Sequence, residues 1–434
     1  MKLKEKLKGF PPLAALLTIF IDVLGVGILI PIIPALVVPG PGRILGASWS
    51  ISAGFKLLGW LLAAYPIAQF IGTPLLGQLS DRYGRKPVLA FSLLGTAIGY
   101  ALFAVGIATK NIPLLFFSRA LDGLTGGNLS VAQAIIADTS TPKTRTRNFG
   151  IIGMSFGVGF VLGPYIGAKL SVPNVSFYGL GHTPSWFALS TPFWFATILS
   201  LLTVCLVIFR LRETLKEKSR AEFKWDRSLH NIKMAVTDKS LRSIFPTVFF
   251  FVAGFGFFRA FFQVFLSEKL HFTTGNIGDY FAYVGICIAL AQGLITPLVA
   301  KKWRNYQVLK VSVLFNGLIL LLFASVTKSW QLLAITPLFA IMNGQSMANM
   351  TSLVSSSASK EVQGEVLGIN ASVQALADSI TSILSGYIAA SLTVGAPVLV
   401  GGGLILLGWL IYVLFYRPSA HVLSQHEEEF AVVH

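Results

Sequence analysis

The sequence predicts an all-α membrane protein whose twelve transmembrane helices form two pseudo-symmetric six-helix bundles. Composition, the spacing of apolar blocks and a repeat between the two halves each point to this fold class. The 434 residues are 54% hydrophobic and 12% charged, with a mean hydropathy of +0.71. A soluble domain carries roughly 25% charged residues. A soluble globular protein, a disordered chain and a secreted disulfide scaffold are therefore excluded, and we interpret Cys205 and Cys287, both in apolar blocks, as packing residues.

Twelve apolar blocks are long enough to cross a bilayer, for which a helix needs about 20 residues. Proline, glycine and charged clusters separate these blocks. In chain order, spans 1 to 12 run near 11–38, 54–76, 87–108, 111–139, 147–170, 186–209, 243–267, 277–300, 306–326, 330–355, 363–391 and 395–416. The blocks are too long and too apolar for barrel strands. The first block is long and contains Asp22, so we predict a retained helix and not a signal peptide.

The charge distribution predicts the topology. There are 34 Lys and Arg against 18 Asp and Glu, a net charge of +16. In a soluble protein this balance would suggest nucleic-acid binding. If the spans alternate, most Lys and Arg lie on the side that carries both termini, the 2–3 and 4–5 loops and the central linker. Basic loops stay in the cytoplasm. We therefore expect cytoplasmic termini, a bacterial inner membrane and no nucleic-acid partner.

The chain divides at its longest polar stretch, residues 210–242. This linker separates an N-terminal bundle, 1–209, from a C-terminal bundle, 243–417, and residues 418–434 form a tail. The Gln…Thr-Pro-Leu sequence of 69–75 recurs at 292–298, which indicates an internal duplication. Duplicated halves related by an axis along the membrane normal are typical of one large transporter class.

Part of the linker has the pattern of an amphipathic basic helix. Trp225, Leu229, Ile232 and Val236 follow helical spacing, with lysine and arginine between them. Such a helix is expected to lie on the inner leaflet. A solvated linker is the alternative.

Four segments carry distinctive motifs. The 2–3 connection contains Gly77, Asp81, Arg82, Gly84, Arg85 and Lys86, span 1 contains Asp22, span 4 contains Arg119 and Asp122, and span 5 contains Gly159, Gly163, Pro164 and Gly167. The first segment resembles the signature loop of the major facilitator superfamily. The other three resemble motifs of its drug:proton antiporter branch, and the N-terminal half is similar to tetracycline efflux proteins.

The resemblance implies a major facilitator fold with a conformational latch in the 2–3 connection. We expect Gly77 to allow a neighbouring helix to come close and Asp81 to accept from the N-terminus of a facing helix. Topogenic charge alone is the alternative for the basic residues. The span 5 glycines and Pro164 are expected to allow close packing and a bend where the halves meet, with packing alone as the alternative.

Some positions depart from the tetracycline transporters. Span 3 has Gly99 beside Tyr100 where that relative has an acid, span 9 has no acid, and span 8 has no histidine. In the relative these groups recognise the divalent cation–drug complex. Tetracycline is therefore a doubtful substrate.

Three acids are placed near the midplane of the spans: Asp22, Asp122 and Asp378. A charged side chain at the midplane costs roughly 2.5–3.5 kcal/mol on insertion scales, so each is a functional candidate. We predict that Asp22 carries the coupled proton and that Arg119 is the cation that tunes it; the resemblance implies similar roles. The alternative for Arg119 and Asp122 is a static i,i+3 pair on one helix face.

Polar residues in the C-terminal half are candidates to line a substrate cavity. They are Arg259 and Gln263 in span 7, Asn343 and Asn349 in span 10, and Gln374 and Asp378 in span 11. Polar stripes also seal helices together, which is the alternative.

These observations predict a secondary active transporter that exports small amphipathic or drug-like compounds against protons by alternating access. A metabolite or sugar carrier, and a non-transporting receptor or scaffold, remain alternatives. The Gly-x-Ser-x-Gly pattern around Ser155 lies inside a span, so no enzyme is expected. We expect no cofactor and no metal site, and partners limited to the substrate, protons and the lipid bilayer around a monomer.

Overall fold

The computed structural model describes residues 12–37, 44–140, 145–174, 182–215, 224–237, 244–300, 302–356 and 363–416. The tail 418–434 and parts of the linker lie outside these ranges. The helices are α1 (Leu13–Leu29), α2 (Ile33–Val37), α3 (Ile51–Tyr83), α4 (Arg85–Ala108), α5 (Ile112–Thr125), α6 (Asn128–Asp138), α7 (Arg145–Ser171), α8 (Thr191–Arg210), α9 (Arg227–Thr237), α10 (Phe245–Leu270), α11 (Thr274–Leu290), α12 (Thr296–Ala300), α13 (Asn305–Ser325), α14 (Ser329–Ser356), α15 (Gln363–Ser391) and α16 (Ala396–Phe415).

These helices account for the twelve predicted spans. A 3₁₀ turn, Ile30–Ile32, joins α1 to α2, and a π-turn, Ala291–Ile295, joins α11 to α12, so each pair is one crossing. Within the described ranges, eight segments are long and apolar enough to cross a membrane. The remaining four are the broken pair α5–α6 and the helices α7, α14 and α15, which have 27, 28 and 29 residues. The predicted helix count is confirmed.

The connection between spans 2 and 3 is shorter than predicted. Helix α3 continues to Tyr83 and α4 begins at Arg85, so Gly84 alone links them. Gly77 and Asp81, expected in a loop, therefore lie on the last turns of α3. Gly84 has φ 117°, in the left-handed region that favours glycine.

The described chain forms two compact units. Unit 1 comprises Met1–Trp49, Ala64–Trp225 and Thr273–Ala282, and unit 2 comprises Ser50–Ala63, Asp226–Phe272 and Tyr283–His434. Each unit thus includes the start of a helix from the other half of the sequence. In unit 1 the start of α11 packs on α7, where Gly278 meets Ala168, and in unit 2 the start of α3 packs on α15, where Gly59 meets Gly386. The helices that pack on the other half are α3 and α11, the second crossing of each half. Equivalent positions of this kind are expected if the two halves arose by duplication.

In unit 1 a stripe of glycines packs α7 against α1. A Cβ built on Gly159 would lie 3.0 Å from the carbonyl oxygen of Phe20, and one on Gly163 would lie 2.8 Å from the Cα of Gly27. Gly167 meets the backbone of Ile28 in the same way. These glycines face α1 of their own half, whereas Pro164 and Ala168 on the same helix meet Gly278 of α11, which belongs to the other half of the sequence. The bend expected at Pro164 stays a prediction. The four-residue spacing of the glycines keeps them on one helix face.

Unit 2 contains an aromatic core around α10. Phe258 and Phe262 lie with ring centroids 4.3 Å apart, and both contact Phe323 of α13 at 5.7 and 5.3 Å. Phe339 of α14 joins them, 5.3 Å from Phe258. Aromatic pairs at such distances stabilise a core beyond their buried area. The many phenylalanines of α10 therefore hold three helices together.

We expect Gly163→Ala to destabilise the protein by about 1–3 kcal/mol, because the added methyl group would overlap backbone atoms of Leu24 and Gly27 at 2.8 Å. Neither atom can rotate away. Gly157 is the control, since a Cβ there meets nothing within 4 Å among the described residues. Gly157→Ala should be neutral or slightly stabilising, because alanine is the better helix former. Thermal unfolding of both variants checks this, and equal melting temperatures would contradict the packing.

Candidate functional site

Asp22 is held by an amide side chain. The Nδ2 of Asn128, the first residue of α6, donates to Asp22 Oδ1 at 2.8 Å and also lies 3.4 Å from Thr96 Oγ1. Asp22 Oδ2 is buried and accepts no hydrogen bond from the described residues. Within the described ranges, Asp22 forms no ion pair. A carboxyl with one satisfied and one unsatisfied oxygen in a membrane-spanning helix is a candidate proton site.

Arg119 pairs with Asp122 on the same helix. Arg119 Nη1 donates to Asp122 Oδ2 at 3.2 Å, and both side chains are 6% exposed. The guanidinium also stacks 4.8 Å from the centre of the Tyr65 ring and 5.8 Å from that of Phe103. This is the static i,i+3 arrangement considered from the sequence. Tuning of Asp22 by Arg119 stays a prediction.

Thr96 connects the two acids. Its hydroxyl lies beside Asn128 and also interacts with the carboxyl of Asp122. Asp22, Asn128, Thr96 and Asp122 therefore form a polar chain, which we name the buried polar chain. Sequence reasoning missed Asn128 and Thr96. An asparagine immediately after the Gly-Gly break between α5 and α6 was the available signal, because a helix break allows a polar side chain to be positioned.

A glycine of α4 leaves room for Asp122 of the buried polar chain. A Cβ on Gly99 of α4 would lie 3.0 Å from the Cβ of Asp122. Glycine at this position therefore allows α4 to approach α5 closely beside Asp122.

A second cluster surrounds Arg85 at the start of α4. Its Nη1 donates to Asp81 Oδ1 at 2.5 Å and to Ser80 Oγ at 2.7 Å. Its Nε donates to Asp138 Oδ2 at 3.1 Å, an oxygen that also accepts from the Thr214 hydroxyl at 3.3 Å. One guanidinium thus ties together α3, α4, the end of α6 and the segment after α8. We call this cluster the latch.

Glu213 caps the N-terminus of α4 within the latch. Its Oε1 accepts from the backbone nitrogen of Arg85 at 2.9 Å and its Oε2 from that of Lys86 at 3.2 Å. Burial raises the pKa of Glu213, but four backbone N–H donors outweigh it and bring the pKa below its ordinary value. The helix dipole favours the same charge. A Cβ on Gly84 would lie 2.5 Å from Glu213 Oε2, so glycine also leaves room for the cap.

Two expectations for the latch residues are not seen among the described contacts and stay predictions. A Cβ on Gly77 would meet nothing within 4 Å among the described residues. Asp81 accepts from Arg85, and the group that accepts from a helix N-terminus is Glu213. Arg82 is exposed and stacks 5.8 Å from the Tyr83 ring centre, which suits a topogenic charge.

The candidates in the C-terminal half separate into two groups. Asn343 of α14 accepts from Asn316 of α13 at 3.3 Å, and Asn349 donates to a carbonyl of its own helix at 2.8 Å. These two residues therefore serve packing in this structure. Arg259 of α10 forms an ion pair with Asp378 of α15. Gln263 is fully buried, and its Oε1 accepts no hydrogen bond from the described residues.

Gln374 of α15 is half-buried, one turn before Asp378.

The part of the chain that the structure describes contains no group of three His, Cys, Asp or Glu side chains placed to hold a metal ion.

Comparison with known proteins shows the relationships of the chain. Residues 15–382 match the model of the Major Facilitator Superfamily. The class E tetracycline resistance protein of Escherichia coli is 30% identical over 93% of this chain and 95% of that protein. Multidrug resistance protein 2 of Bacillus subtilis is 25% identical over 90% and 91% of the two chains. Among solved structures, a D-xylose-proton symporter superposes with a TM-score of 0.75 at 16% identity, covering 94% of this chain and 98% of that one.

Arg119→Gln should destabilise the protein by about 3–5 kcal/mol, because it leaves the carboxylate of Asp122 buried and unpaired. The double variant Arg119→Gln with Asp122→Asn removes both charges and should recover most of this loss. Thermal unfolding of the purified variants measures both effects. A double variant as unstable as Arg119→Gln alone would refute the pairing as the cause.

The lowered pKa of Glu213 predicts a stability difference that depends on pH. A depressed pKa stabilises the folded state above the ordinary value of about 4.3, and this contribution is lost as the pH falls through the lowered pKa. The melting temperature of the wild type should therefore exceed that of Glu213→Gln by a constant amount above about pH 5. The difference should shrink in more acidic buffers.

The control is Asp226→Asn, which neutralises an exposed carboxyl. Its melting curve should follow the wild type across the same pH series. A gap between wild type and Glu213→Gln that widens towards low pH would contradict the capping role.

Proposed function

The chain belongs to the Major Facilitator Superfamily, and we propose that it is a proton-coupled exporter of small amphipathic, drug-like compounds that works by alternating access. Its relatives in the comparison are tetracycline resistance and multidrug resistance proteins, at 25–30% identity over most of their length. The single observation that carries the coupling part of the proposal is Asp22, a membrane-embedded carboxyl bonded to Asn128.

Asp22 is the proposed proton carrier because its negative charge and that of Asp122 are balanced by different kinds of partner. The charge of Asp122 is balanced by Arg119 at 3.2 Å, whereas the described partner of Asp22 is an amide donor. Adding a proton to Asp22 neutralises it and gives Oδ2 a hydrogen to donate. A proton on Asp122 would instead leave Arg119 unpaired, which is costly in a buried site. Asp122 and Arg119 therefore act in this proposal as fixed charges beside the exchanging group.

The buried polar chain provides a means of linking protonation to helix movement. Asn128 begins α6, directly after the break that separates it from α5. When Asp22 is ionised, it holds Asn128 through a hydrogen bond to a charged acceptor, which is stronger than one between neutral groups. Protonation weakens this bond and so loosens α1 from α6. We propose that this is the local step by which the proton biases the two access states.

The latch is proposed to stabilise one of these states. Its ion pairs and the Glu213 cap join four chain segments at one end of unit 1. In the proposal, both termini and the latch lie on the cytoplasmic side of a bacterial inner membrane. The protein is proposed to act as a monomer.

Substrate recognition is assigned to unit 2. Phe255 of α10 offers a partly exposed aromatic ring, and Arg259, Gln374 and Asp378 offer polar contacts nearby. An aromatic ring with a few placed polar groups suits amphipathic compounds. Divalent-cation complexes of tetracycline are not included, because spans 8 and 9 lack the groups that bind them in the relative.

Asp22→Asn is the decisive test. In proteoliposomes with an imposed pH gradient, this variant should lose uphill transport of a fluorescent cationic drug such as ethidium, while downhill exchange between labelled and unlabelled drug continues. The amide retains the shape of the carboxyl and cannot exchange a proton. Asp226→Asn, the same change at an exposed position, should transport like the wild type. Uphill transport by Asp22→Asn at the wild-type rate would overturn the proton assignment.

A further inference from the structure

Helix α10 is enclosed by its neighbours over nearly all of its surface. The large apolar side chains that other helices expose, such as Phe315 of α13 and Leu407 of α16, have no counterpart on α10. From 251 to 266 every residue is buried except Phe255 and Arg259. These two stand one turn apart and so share a face. The open strip of α10 is therefore narrow and carries one aromatic ring and one guanidinium.

The uncovered side of Arg259 does not face lipid. A guanidinium turned towards hydrocarbon is strongly disfavoured, and a helix buried on all its other faces lies inside a bundle. The exposed apolar side chains of the adjacent α15 are Ile380, Leu384 and Tyr387, each more than a third exposed, whereas Asp378 points to α10. The exposed side of Arg259 is therefore assigned to an aqueous space and not to hydrocarbon.

The two intramembrane Arg–Asp pairs differ in exposure. The side chains of Arg119 and Asp122 are both 6% exposed, as expected of a structural pair. Those of Arg259 and Asp378 are 38% and 21% exposed. A pair that serves only to neutralise buried charge has no need of this opening. The Arg119–Asp122 pair is therefore sealed, whereas the Arg259–Asp378 pair is accessible.

Arg259 retains donors for a further partner. A guanidinium has five N–H groups in a fixed plane and can bind two acceptors side by side. Asp378 contacts it through Oδ1, and the Phe255 ring centre lies 6.0 Å from it. Gly256 leaves the space that Asp378 occupies, since a Cβ there would lie 3.3 Å from its Oδ1. Among the described residues, Asp378 thus orients the guanidinium from one side and leaves donors on the other side available.

We propose that Arg259 binds the carboxylate or sulfonate of an amphipathic aromatic anion, with Phe255 against the aromatic part and Asp378 as the residue that positions the guanidinium. The substrate class of the transporter would then include organic anions. This inference rests on the proposed transport function for its physiological meaning. The binding site itself can be tested without transport.

The test compares 2-naphthoate with its uncharged primary amide, titrated by calorimetry into the purified full-length protein in lipid nanodiscs. The wild type should bind naphthoate more tightly than the amide. Arg259→Gln should weaken naphthoate binding about 10- to 100-fold, the usual effect of losing a charge-assisted hydrogen bond, and leave amide binding nearly unchanged. Asp378→Asn should keep or strengthen naphthoate binding, because asparagine retains the Oδ1 that orients the guanidinium and loses the negative charge that competes with the anion.

The double variant Arg259→Gln with Asp378→Asn guards against misfolding, since it leaves no unpaired charge. It should fold and bind naphthoate as weakly as Arg259→Gln. Equal binding of naphthoate and amide by the wild type would overturn the inference. A second pattern would also overturn it: Asp378→Asn binds naphthoate as weakly as Arg259→Gln, and the double variant recovers wild-type binding. That pattern describes a static ion pair.

Proton-driven flux in proteoliposomes distinguishes this inference from the proposed function. If ethidium is transported uphill but naphthoate binds no more tightly than its amide, the anion site is refuted and the export function is not. If ethidium, naphthoate and the amide all show no flux, the export function is refuted. Binding of naphthoate that depends on Arg259 would then still support the site.

Discussion

The cost of placing charge inside a membrane governs the arrangement of this protein. The three aspartates deep within crossing helices are compensated in different ways: Asp122 by a sealed arginine, Asp378 by an accessible arginine and Asp22 by an amide. A fully paired carboxylate is stable but inert, because removing its partner or adding a proton to it leaves one charge unpaired. In our proposal, an incompletely compensated carboxyl can bind and release a proton. The degree of compensation would then separate structural from functional acids.

Close helix packing makes these compensations possible. The glycine stripe on α7 brings it against the backbone of α1, the helix that carries Asp22. Gly99 brings α4 against α5 at Asp122 in the same way. In the absence of a hydrophobic force between helices in lipid, such small residues permit the van der Waals contact that holds a bundle together. The positions of the acids are thus set by residues that have no charge.

The latch, which lies outside the apolar region, also depends on a few charged groups. Arg85 joins two acids through its side chain, and its backbone nitrogen meets a third, Glu213. Because the contacts depend on a one-residue connection at Gly84, a small rotation of α3 relative to α4 alters all of them together. In our proposal, this coupled change is how the latch stabilises one access state. Its residues come from segments that are far apart in the sequence and meet only in the folded unit.

The sequence by itself determined the crossing helices, the internal duplication, the superfamily and the identity of the membrane-embedded acids. Length, hydropathy and motif spacing are local properties, and a charge inside an apolar block is visible without a structure. Only the tertiary structure decided which groups meet: Asn128 beside Asp22, Glu213 at the start of α4, and the glycine stripe of α7 against α1. The physical reason is that a side-chain contact depends on which helices are neighbours and on their relative height and rotation, and the pattern of one helix does not contain that information.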